Sequence, residues 1–82
     1  MSKLLGIELL EPGESGVVTD ITADGEFLRR LEAFGLICGA KIKLIRRAPL
    51  GDPLELFCRG VRVVIRVSDA SHIRVRAIPR IG

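Results

Sequence analysis

Hydrophobic and polar positions change period several times along this chain. From residue 41 the order Lys41, Ile42, Lys43, Leu44 alternates strictly. Alternation turns one row of side chains to a core and the other to water, as in a half-buried strand. The pattern recurs in "PLELFCRG", where Leu54, Leu56 and Cys58 share one parity and Glu55, Phe57 and Arg59 the other. It recurs again in "VRVVIRV", with Val61, Val63, Ile65 and Val67 opposite Arg62, Val64 and Arg66. In "IRVRAI", Ile73, Val75 and Ala77 stand opposite Arg74, Arg76 and Ile78. Gly60 separates the second and third of these runs as a tight turn. An earlier run, "ESGVVTDIT" over residues 14–22, is rich in strand formers. Val17, Thr19 and Ile21 share its one parity and Val18 takes the other.

One segment has a different period. In "ADGEFLRRLEAFG", Phe27, Leu31 and Phe34 fall at i, i+4 and i+7, one face of a helix of about three turns. Arg29, Arg30 and Glu32 lie largely off that face. Asp24 suits the N-cap, Glu26 suits the first turn and forms an i, i+4 pair with Arg30, and Gly35 suits a left-handed C-cap. At the start, Ile7 and Leu10, with Leu4, fit one side of a short helical turn before the Pro12-Gly13 turn signal. "SDASH" is a polar break with a helical turn, opened by Ser68 as a cap. The expected fold is therefore mainly β, as one domain over residues 1–82. It has five short strands, one α-helix inserted after the first strand, and a short helical turn before the last. Strands of this length and spacing suggest a small barrel, whose closure protects edges. Arg62, Arg66, Arg74 and Arg76 then face outward.

Charge sharpens this picture. Residues 1–36 hold three basic and seven acidic side chains, and residues 37–82 hold ten basic and three acidic, although the whole chain carries only +3. The second half offers a positive surface to a partner, or solvated strand faces. Aromatics are 4% of the chain, with no Trp or Tyr, too few for a stacking platform on single-stranded nucleic acid. No signal-peptide pattern opens the chain and no apolar run reaches membrane-spanning length, so a soluble, cytoplasmic protein with reduced thiols is expected.

Candidate chemistry is sparse. The single histidine, His72, stands three residues after Asp69, with no recognisable nucleophile or paired carboxylate around it, and reads as a surface or cap residue. Cys38, Cys58 and His72 are the weak candidates for a metal, but no ligand spacing links them. Cys58 shares the core parity of Leu56, and Cys38 lies in the helix-to-strand turn. "GLICGAK" lacks phosphate-loop spacing. Neither a cofactor nor an enzymatic activity is implied.

Three stretches carry more than composition: "RRLEAFGL", "RRAPLGDPLEL" and "SDASHIRV". In this order, after "EPGESGVV", they resemble the FeoA family of small proteins of bacterial ferrous iron transport, from about Ile7 to Val75. The resemblance implies an SH3-like β-barrel with an inserted helix. It also implies a cytoplasmic accessory or regulatory protein that associates with a FeoB-type ferrous iron permease, whose cytoplasmic side carries a GTP-binding domain. Such a protein reaches the membrane only through its partner. It acts on the permease's GTPase, its gating or its assembly, and no nucleic acid is expected. Where family members often have proline before the glycine after "GL", this chain has Cys38 before Gly39, which leaves that turn looser and adds a thiol.

The loop within "RRAPLGDPLEL" then has two readings. Pro49 and Pro53 stiffen it, Gly51 permits positive φ, and Asp52 hydrogen-bonds nearby amides. Leu50 is left at the tip, flanked by Arg46 and Arg47. This is either a docking loop or a hairpin whose residues only fit the turn. Arg29 and Arg30 either join the loop in a partner-facing patch or solvate the helix. The competing functions are a stand-alone SH3-like regulatory module that binds a peptide or a transcription regulator, as in repressors of the diphtheria toxin repressor type, and a basic RNA-binding barrel.

Overall fold

The computed structural model describes residues 4–79, so residues 1–3 and 80–82 of the expected domain lie outside the described residues. Six strands form one antiparallel sheet: β1 Leu4–Gly6, β2 Ser15–Ile21, β3 Lys41–Arg47, β4 Leu54–Cys58, β5 Val61–Ile65 and β6 Ile73–Ile78. Helix α1, Gly25–Ala33, follows β2, and the single turn α2, Val67–Ala70, precedes β6. The strand order is β1-β6-β2-β3-β4-β5. β1 and β5 are thus the two ends of the sheet and do not pair with each other, so hydrogen bonding among the described residues does not close a barrel.

The expected five strands are six because Leu4 belongs to a strand, not to a helical turn. β6 offers a free edge beside β2, and Leu4, Leu5 and Gly6 pair there with Arg76, Val75 and Arg74. A 3-10 turn over Ile7–Leu9 follows. Ile7 and Leu10 are fully buried, as their spacing suggested, whereas Leu4 is exposed.

The core is the inward row of each strand. Ile42, Leu44, Leu54, Leu56, Ile73 and Val75 are within 1% of complete burial, and each large aliphatic contributes ~1.5–3 kcal/mol. Two bulges interrupt the alternation. In β2 the register shifts between Val18 and Asp20, so Val18 is buried while Ile21, of opposite parity, still packs on the core. In β3 it shifts between Leu44 and Arg46, so Arg47 rather than Arg46 lies beside the buried Leu54.

Helix α1 lays Leu31 into the core with Phe27 partly covered, while Phe34 stays exposed. Its C-terminus is a Schellman closure: Leu36 N–H donates to the Leu31 carbonyl at 2.9 Å and Gly35 N–H to that of Glu32 at 2.9 Å. Gly35 carries the required positive φ of 84°. Asp24 occupies the N-cap position, but its side chain makes no capping bond. At α2 the N-cap is Arg66 rather than Ser68. The expected Glu26–Arg30 pair does not form: the ion pairs among the described residues are Arg46–Glu55 and Arg62–Glu55.

Candidate docking surface

The β3–β4 loop is built from its turn residues upward. Gly51 N–H donates to the Ala48 carbonyl at 2.7 Å, and Ala48 N–H donates to that of Pro53 at 3.0 Å. Pro49 fixes φ at the second position of that turn, Gly51 takes φ 91°, and the Asp52–Pro53 bond is cis. Leu50 is left 96% exposed, more than any other large hydrophobic residue among those described. Asp52 differs from expectation in its partner. Its Oδ1 accepts from Val67 N–H at 3.0 Å, so it fastens the loop to α2 rather than to the loop's own amides.

The two arginines at the loop's root part company. Arg46 points outward and pairs with Glu55 at 3.2 Å, and Arg62 reaches the same carboxylate at 3.1 Å. Arg47, turned inward by the bulge, is part-buried and donates to the main-chain carbonyls of Glu8 and Leu10, the latter at 2.7 Å. Arg47 is therefore a clamp between β3 and the 3-10 turn and does not flank the tip. Plain alternation gave no signal for this, because the bulge is invisible in the residue pattern.

Two depressions flank β5. One, of about 210 Å³, is lined by residues of the loop root and by Val64. The other, of about 330 Å³, is a groove between α1 and β5. Phe27, Leu31 and Phe34 form its helical wall, residues 63–65 its strand wall, and Arg30, Arg66 and Asp69 also line it. Val64 belongs to both, so they make one strip from helix to loop. Arg30 lies on the groove wall, not off the apolar face, because it is three residues from Phe27 and four from Phe34. Arg29 is exposed. A third depression, of about 540 Å³, gathers Lys41, Lys43 and Arg59 around the half-exposed Phe57 on the outer face of the sheet. Strand alternation alone does not mark it, because Lys43 stands directly opposite Phe57 only through the cross-strand register.

The metal candidates do not converge. Among the described residues no group of three or more His, Cys, Asp or Glu side chains is placed to hold an ion. Cys38 is exposed, with its thiol 3.7 Å from the Thr19 carbonyl. Cys58 is buried, 3.5 Å from the Gly35 carbonyl, and burial pushes its thiol pKa up against the opposing pull of Arg59. His72 is exposed and meets the Phe27 ring edge-on at 6.3 Å. No helix among the described residues is long and apolar enough to cross a membrane.

These features define a small antiparallel β-domain with an exposed leucine at the tip of a hydrogen-bonded loop and, reached across Val64, a groove lined by Arg30 and Arg66. The chain belongs to the FeoA domain family, whose model matches residues 7–77. It is 30% identical over 69 residues to a protein of Porphyromonas gingivalis named Fe(2+) transport protein A/Fe(2+) transporter FeoB fusion protein; the match covers 84% of this chain and 8% of that relative. Among solved structures it resembles the FeoA protein from Chlorobium tepidum, at 37% identity and a TM-score of 0.86, covering 92% of this chain and 71% of that one. It also resembles Stenotrophomonas maltophilia FeoA complexed with zinc, described as an SH3 domain protein. That match has 27% identity and a TM-score of 0.71 and covers 87% and 88% of the two chains. The SH3-like character implied by the sequence thus agrees with the family's solved folds.

Proposed function

We propose that this chain is a cytoplasmic, non-enzymatic accessory of ferrous iron uptake that works by binding a FeoB-type transporter at its cytoplasmic side. The observation that carries this reading is the fusion relative, in which a segment like this one and a FeoB transporter share one polypeptide. Covalent linkage raises the effective concentration of two modules, which is useful where the two engage each other. Where the two modules are separate polypeptides, a binding surface must replace that linkage.

The β3–β4 loop suits that purpose. Leu50 carries a full apolar side chain into water on a backbone held by Pro49, Gly51 and Pro53, so little entropy is lost when it inserts into a partner pocket. Arg46 and, along the same strip, Arg30 supply the positive rim, with Arg29 beside it. Arg47 and Asp52 contribute by holding the loop in place.

A tagged chain incubated with detergent-solubilised membranes from its iron-starved source cells tests this. The expected result is retention of a FeoB-type transporter by the native chain and loss of it with Leu50→Ala. Retention unaffected by Leu50→Ala moves the contact off the loop. Recovery of RNA or a soluble regulator without a transporter rejects the reading.

A further inference from the structure

β5 is an end strand of the sheet, and the geometry of its hairpin fixes which of its backbone groups are unpaired. Arg59 and Gly60 form a two-residue turn with φ of 53° and 82°, both positive. Such a turn makes its flanking residues, Cys58 and Val61, a hydrogen-bonded pair. Bonded and non-bonded pairs then alternate along an antiparallel ladder. Val61, Val63 and Ile65 therefore aim N–H and C=O at β4, while Arg62 and Val64 aim theirs away from it. No other backbone or side-chain group among the described residues bonds to those of Arg62 or Val64. An unpaired strand edge is a template for another strand. This one borders the groove whose far wall is the apolar face of α1.

We infer that β5 is a strand-addition site, and that its occupant is an extended, acidic segment of the protein partner, lying in the groove between β5 and α1. Charge selects this occupant. Arg30 and Arg66 line the groove and make no ion pair among the described residues, against one carboxylate, Asp69. A second copy of the chain is disfavoured on the same ground. Antiparallel pairing of two β5 strands centred on Val64 sets Arg62 opposite Arg66 twice, where like charges directly opposite are destabilising, and pairing centred on Val63 brings up a strand with no carboxylate for Arg30 or Arg66. An acidic strand reverses that sign. Its backbone takes up the groups of Arg62 and Val64, its carboxylates meet Arg30 and Arg66, and an apolar residue faces Phe34. The inference deepens the transporter-binding reading and rests on it.

The test uses the native chain and a detergent-solubilised FeoB-type transporter from the same source. Val64→Pro removes an N–H that points away from β4, so the sheet's own ladder is kept, and proline is tolerated at such edge positions. The expected results are about tenfold weaker binding for Val64→Pro and at least that loss for Arg30→Glu with Arg66→Glu. In the native chain, hydrogen exchange at the Arg62 and Val64 amides should slow at least tenfold on complex formation. That measurement stands even where Val64→Pro does not fold. Native binding with unchanged exchange at both amides overturns the strand-addition site and leaves the transporter reading standing. No native binding overturns both. A free chain that runs as a dimer and becomes monomeric with Val64→Pro shows that the edge belongs to a second copy, and likewise overturns the inference.

Discussion

Two adjacent arginines here do unlike work. Arg47 satisfies two main-chain carbonyls of the 3-10 segment from a part-buried position, whereas Arg46 makes an ion pair in water. Charge-assisted hydrogen bonds away from solvent are worth ~1.5–3 kcal/mol each, and exposed pairs ~0–1 kcal/mol. Arg47→Ala is therefore expected to lower unfolding free energy by roughly 2–4 kcal/mol and Arg46→Ala by under about 1 kcal/mol in urea titrations. Equal losses would contradict the clamp. The two cysteines differ in the same manner. Cys38 is expected to react with an aromatic disulfide reagent at pH 8 within the mixing time, and Cys58 only as fast as the chain opens. Burial raises the Cys58 pKa, so the folded state holds the thiol proton more tightly than the unfolded chain. Its contribution to stability is fully present below the ordinary thiol pKa of 9.0 and is lost as pH rises through the raised folded value. The fall in stability above pH 9 should accordingly be shallower in Cys58→Ala. Identical slopes would contradict this.

At the scale of elements, α1 depends on how it ends. Gly35 combines positive φ with a position where an added Cβ would sit 2.7 Å from the Arg59 Cδ. Gly35→Ala is expected to cost about 1–2 kcal/mol, or roughly 4–8 °C in Tm per kcal/mol, by thermal unfolding. The cap was legible because Gly35 follows three apolar residues at helical spacing. The strands β3 to β6 were legible for a like reason, since period two survives over most of each. What the pattern could not carry was long-range pairing. β1 is a strand only because β6 has a free edge, and a three-residue run has too few positions to display a period. Nor could alternation reveal the β3 bulge, which sends Arg46 to solvent and Arg47 inward. The candidate site was therefore half legible. The loop's tip, prolines and glycine were readable, while the roles of Arg47 and Asp52, the placement of Arg30 and the groove itself needed the fold.

Over the whole molecule, positive charge gathers on strand faces and around the groove, while the first 36 residues carry the acid. A partner that meets Arg30, Arg66 and Arg46 is acidic there, so its affinity should fall several-fold between low and physiological salt in titrations. A salt-independent affinity would contradict a charged contact. Leu50→Ala should leave stability within about 0.5 kcal/mol, because the side chain has no core to leave, and reduce only partner binding. The central claim is that this domain works by direct contact with a FeoB-type transporter. The measurement that tests it most directly is equilibrium binding of the labelled chain to nanodiscs that contain the purified transporter, beside empty nanodiscs of the same lipids. Saturable binding to the loaded discs alone, weakened by Leu50→Ala, is the predicted result. Equal signals on both discs, or none on either, would contradict it.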